Sequence, residues 1–112
     1  MKPKLRLSSK IATISSQQMR ESIEALNCST SDAIREAMSV HAHKAKSLRV
    51  PPKFQPPKTY ADRLFINAEV CVETKQDYEI LAKRYDIPVS ELVLRCLSAY
   101  VLRGKGNPES LT

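Results

Sequence analysis

The segment RLFINAEVCVETKQDYEILAKRYDIPVSELVLRCLSAYVLR, residues 63–103, changes its apolar period as it runs. Leu64, Ile66, Ala68 and Val70 alternate with Phe65, Asn67 and Glu69, the period of a strand with one buried face. Tyr78, Leu81, Ala82 and Tyr85 then recur at helical spacing, with Thr74 as the polar starter of an amphipathic helix. Asp86-Ile87-Pro88-Val89-Ser90 is a break built of turn and cap formers, with a proline suited to a first helical turn. Beyond it Leu92, Val93, Cys96, Leu97 and Tyr100 form an apolar face wide enough to pack against another helix.

The same order recurs in residues 4–44, predicted here to align at a constant offset of 59 without a gap. Only Leu5/Leu64, Gln17/Gln76, Ser31/Ser90 and Ser39/Ser98 are identical, but apolar positions coincide, as in Leu7/Ile66, Ile11/Val70, Met19/Tyr78, Ile23/Ala82, Ile34/Val93 and Met38/Leu97. Leu5, Leu7 and Ile11 read as the buried face of a first strand, with Arg6, Ser8 and Lys10 outward; a strand built on Ile11–Ile14 is the alternative register. Met19, Ile23 and Leu26 follow on a helix for which Ser15 and Gln18 have capping-box spacing. After Asn27-Cys28-Ser29-Thr30-Ser31 comes a second helix with Ala33, Ile34, Ala37, Met38 and His41 on its apolar stripe. The expected organisation is a first unit at 4–44, a basic Pro-rich linker at 45–60, a second unit at 61–103 and a flexible tail at 104–112. Pro51-Pro52 and Pro56-Pro57 predict an extended, polyproline-like linker.

Each unit of roughly forty residues is near the limit below which a core does not form alone, so the copies need each other or a second chain. Cys28, Cys71 and Cys96 are odd in number and, with His41 and His43, lack the spacing of a zinc site or a disulfide scaffold. No metal, cofactor or catalytic residue is expected: Gly104 and Gly106 are the only glycines, and Glu21/Glu24 and Asp77/Glu79 read as solvated helix faces. With no apolar run of membrane-spanning length and no secretory signal, a reduced cytoplasmic setting is expected. The net charge of +6 is unevenly placed: residues 44–60 carry five Lys/Arg and no acid, whereas residues 61–112 carry seven against eight. Such basic stretches suit a polyanion, and nucleic acid is the natural one.

The order strand, helix, turn, helix, with STSDAIREAM at 29–38 and PVSELVLRCL at 88–97, resembles the ribbon-helix-helix superfamily of Arc/MetJ-type DNA-binding proteins. The resemblance implies a mainly α fold with a two-stranded antiparallel β-ribbon, two β-α-α motifs in tandem, four interlocked helices and a ribbon that enters the DNA major groove. Most of the superfamily uses two chains; one chain carrying both motifs, as in tandem-repeat accessory proteins of plasmid relaxosomes, would be an intrachain pseudo-dimer. Expected base-contacting residues are Arg6, Ser8, Lys10, Phe65, Asn67 and Glu69, with Arg6 or Lys10 suited to guanine, Asn67 to adenine and Glu69 to cytosine. Expected phosphate contacts are Ser29, Thr30, Ser31 and Ser90 at the starts of the second helices, with Lys2, Lys4, Arg63, Lys44, Lys46 and Arg49. Pro88 removes one amide donor from the second of these helix ends. The expected partner is double-stranded DNA, with self-association through paired repeats or on DNA, no membrane, and nucleoid or plasmid association. The implied role is a bacterial or mobile-element transcription regulator, the alternatives being a relaxosome or partition accessory factor and an antitoxin that uses the fold to dimerise and grips a protein partner.

Overall fold

In the computed structural model, which describes residues 8–102, the two strand-forming stretches pair with each other. Strand β1, Ser8–Ser15, runs antiparallel to β2, Leu64–Cys71, with Lys10 opposite Glu69, Ala12 opposite Asn67 and Ile14 opposite Phe65. Ile11, Thr13 and Ser15 on one strand and Ile66, Ala68 and Val70 on the other are buried, so one ribbon face closes the core and the other meets solvent. Each strand leads into two helices: α1, Gln17–Ala25, and α2, Thr30–His41, in the first half; α3, Val72–Tyr85, and α4, Val89–Leu102, in the second. The described residues are thus mainly helical with one two-stranded antiparallel sheet.

The helix pair α2 and α4 forms the centre, and each also lies against the strand of the opposite half, α2 under β2 and α4 under β1. Ile34, Ala37 and Met38 meet Leu92, Val93, Cys96, Leu97 and Tyr100 in one core that continues through Met19, Ile23 and Ala82 to the ribbon. His41 is buried on the stripe expected of it. Full burial of a Leu or Ile side chain contributes about 1.5–3 kcal/mol, which makes this shared core the dominant source of stability for both halves.

The turn residues Asn27 and Asp86 both take left-handed backbone, and they stand 59 apart, as do the starts of α2 and α4. The starts of α1 and α3 are only 55 apart. The gap-free alignment is therefore corrected: α3 carries one additional turn at its start, which a shift of four residues hides because it keeps strand parity and nearly keeps helical phase. Thr74 consequently lies inside α3, which begins at Val72 after Cys71 without a side-chain cap. The cap of α1 also differs from expectation. Ser16, not Ser15, accepts from the Met19 amide, while the buried Ser15 hydroxyl donates to the Phe54 carbonyl at 2.6 Å.

That bond belongs to the largest correction, the linker. Residues 45–60 are not one continuous extended spacer: short 3-10 turns at Ala42–Ser47, Pro52–Phe54 and Tyr60–Asp62 alternate with extended backbone at Leu48, Pro51, Gln55 and Thr59. Phe54 is buried at 1% exposure and packs beside α1, and the Ser16 hydroxyl donates to the Lys53 carbonyl. Tyr85 on α3 donates from its hydroxyl toward the Ala42 and His43 carbonyls, and Arg95 on α4 donates to the Ala45 carbonyl at 3.1 Å. Prolines exclude regular ladders here, but they leave carbonyls free for side chains of both halves to hold.

Burial sets a pH limit on the core. The Cys96 thiol is pushed from 9.0 to about 12 by burial, and the phenols of Tyr78 and Tyr100 are raised by the same desolvation. Groups with raised folded-state values favour the native protein below the unfolded pKa and lose that contribution as pH climbs through the folded one. Stability is therefore expected to fall between about pH 9 and pH 12, with exposed Cys71 accepting a thiol reagent at pH 8 while Cys96 stays unlabelled. Rapid labelling of both cysteines in the folded protein would contradict this packing.

Candidate nucleic-acid interface

The solvent face of the ribbon presents Lys10, Ala12 and Ile14 from β1 and Phe65, Asn67 and Glu69 from β2. Glycine and proline are absent from both strands, so the side chains stand at regular alternate positions. Across the ribbon they form three pairs that change character along its length: Lys10 with Glu69, Ala12 with Asn67, and Ile14 with Phe65. Phe65 is half exposed, and Ile14 is partly exposed beside it.

The start of each second helix is fastened to the ribbon. Ser29 caps α2 by accepting from the Asp32 amide, and the Ser31 hydroxyl accepts from the Glu69 amide at 3.2 Å. Arg35, paired with Asp32, also donates to the Glu69 carbonyl at 3.1 Å. In the other half the buried Thr13 hydroxyl donates to the Ser90 carbonyl at 2.8 Å. Ser31 and Ser90 are thus equivalent positions that grip the opposite strand by different chemistry, one through its side chain and one through its backbone.

Two clefts flank β2. One of about 300 Å³ is lined by Arg20 and Glu24 of α1, Thr30 of α2, and Phe65 and Asn67 of the ribbon. Another of about 330 Å³ lies among Lys10, Ser31, Asn67 and Glu69. Free amides at a helix start favour anions, and α2 offers them next to a cationic side chain. No protein-family model, curated protein or solved structure matches this chain.

Expected and observed positions divide by half. Phe65, Asn67 and Glu69 occupy the outward row as their alternation predicts, and so does Lys10. Ser8 is the first residue of β1 and pairs with Cys71, while Arg6, Lys2 and Lys4 lie outside the described residues. The described strand continues to Ser15, the side on which the alternative register lay, and it adds Ala12 and Ile14 to the outward row. Ser29, Thr30 and Ser31 gather at the start of α2 as expected, and Ser90 is exposed at the start of α4 behind Pro88. Arg63 is partly exposed, with its Nε donating to the Pro57 carbonyl at 2.8 Å and its guanidinium over the Tyr60 ring. Lys44 is exposed on the 3-10 segment, and Lys46 and Arg49 line an open groove of about 590 Å³ with Gln55, Glu91 and Arg95. Arg20, Arg35 and Arg95 were not singled out by the sequence pattern, because a lone arginine on a polar helix face carries no period of its own.

Proposed function

We propose that the chain is a tandem ribbon-helix-helix protein whose halves pair within one molecule, and that it binds double-stranded DNA sequence-specifically as a transcription regulator. The observation that carries this reading is the exposed ribbon face with its six alternating side chains, flanked by the starts of both second helices. A two-stranded ribbon fits the major groove, where each base pair presents a distinct pattern of donors, acceptors and methyl groups. Lys10 suits guanine O6 and N7, Asn67 the N6 and N7 of adenine, and Glu69 the amino group of cytosine. Because the two strands differ in sequence, the favoured site is asymmetric, in contrast to the palindrome read by a dimer of identical chains.

The proposed phosphate contacts divide into two groups. Thr30 and Ser31 share clefts with the outward row and Ser29 precedes them at the cap of α2, whereas Lys44, Lys46 and Arg49 are on the linker segment. Lys46→Ala with Arg49→Ala is expected to weaken binding of every duplex alike and to reduce the slope of log K against log salt by about one to two units. Fluorescence anisotropy across a salt series checks this. A change in sequence preference with an unchanged slope would remove these residues from the backbone-contact set. The reading as a whole is tested by selecting duplexes from a random pool: enrichment of one asymmetric sequence supports it, and no enrichment refutes it.

A further inference from the structure

The outward face of the ribbon is not uniform, and its gradient has a chemical meaning for the bound sequence. At one end stand a cation and a carboxylate, Lys10 and Glu69; in the middle a methyl and an amide, Ala12 and Asn67; at the other end two apolar side chains, Ile14 and Phe65. An aromatic side chain half exposed at the end of a solvent-facing row gains nothing from water, and its place is continuous with polar residues that suit base edges. Arg20 and Glu24 line the same cleft as Phe65 and Asn67, so the edge itself is balanced in charge, while the chain as a whole carries a net charge of +6 that favours a polyanion.

Resting on the DNA-binding reading above, we infer that Ile14 and Phe65 form a thymine-methyl reader, which makes the bound site A·T at the apolar end and G·C at the charged end. Among the four natural bases the major groove offers one apolar group, the C5-methyl of thymine, so an apolar pair there selects thymine by burying that methyl. Asn67 adds an adenine preference beside it, and Ala12 leaves room for a further methyl contact. Same-face residues along a strand are about 6.8 Å apart, near two base-pair steps at about 3.4 Å each. The two ends of the row are therefore separated by about four steps, and the gradient predicts a short site whose composition shifts from G·C to A·T within one ribbon length.

The test replaces each thymine of the selected duplex by deoxyuridine, one position at a time, which deletes the methyl and leaves every hydrogen-bonding group in place. Wild-type protein is expected to bind about fourfold more weakly for each methyl lost under Ile14 and Phe65, the affinity ratio that burial of one methyl-sized group supports. Phe65→Ala protein is expected to show a smaller thymine-over-uracil preference at those positions, and the Ile14→Ala, Phe65→Ala double variant to bind thymine and uracil duplexes equally there. Specific binding with no position sensitive to uracil would overturn the inference while leaving the DNA-binding reading intact. Failure to enrich any duplex would overturn both, and would turn the apolar pair toward a protein partner. Because the deoxyuridine series uses unaltered protein, a poorly folding Phe65→Ala variant does not spare the inference from refutation.

Discussion

Phe54→Ala is expected to lower the free energy of unfolding by about 3–5 kcal/mol, the range for removing a fully buried aromatic side chain. Phe54 sits in the segment joining the two halves, where a spacer residue would change stability by no more than about 0.5 kcal/mol. Its ring is buried at 1% exposure, its carbonyl accepts from Ser15, and the preceding carbonyl of Lys53 accepts from Ser16. Truncation therefore leaves a cavity beside α1 and loosens the junction between β1 and that helix. Small domains have only about 5–15 kcal/mol to lose, so the variant should show a much lower urea midpoint with an unchanged slope. A midpoint within error of the wild type would mean that the segment is the extended spacer its prolines suggest.

On the proposed DNA-binding reading, Asn67→Ala is expected to have the second large effect, in binding and not in folding. Asn67 is exposed at the middle of the ribbon opposite Ala12, so its removal is expected to leave the melting temperature nearly unchanged. A bidentate amide–adenine pair discriminates by about 1–3 kcal/mol, so affinity for the preferred duplex should fall by about 5- to 150-fold. Binding to unrelated duplexes, which the proposal assigns to Lys and Arg contacts with phosphate, should stay the same. Equal losses on preferred and unrelated duplexes would show that Asn67 does not read bases.

The second half was legible in the sequence because its signals agree. Ile66, Ala68 and Val70 alternate cleanly, the break at Asp86–Ser90 is chemically marked, and the apolar face of α4 is broad. The first half was harder because Thr13 and Ser15 are polar yet buried, each donating to a main-chain carbonyl from elsewhere in the chain. A hydropathy pattern cannot see a hydroxyl whose partner lies 77 residues away, as that of Thr13 does. The extra turn of α3 escaped notice for a different reason, since a four-residue insertion preserves both periods on which the alignment rested. In the linker, proline predicts the absence of regular structure and says nothing about burial, which Ala45 and Phe54 achieve.

In the site, the outward residues of β2 followed from alternation alone. Ala12 and Ile14 did not, because they required the true extent of β1. The fastening of Ser31 to the Glu69 amide, and of Thr13 to the Ser90 carbonyl, depends on which strand each second helix crosses. That is a tertiary fact with no local signature.

Pairing of β1 with β2 inside one molecule is the centre of this account, and native mass measurement, on the protein alone and on its selected duplex, tests it most directly. The expected result is a free monomer of 12.6 kDa that occupies an asymmetric site as a single chain. An obligate dimer that places two chains on a palindrome would mean that the strands pair between molecules and would contradict it.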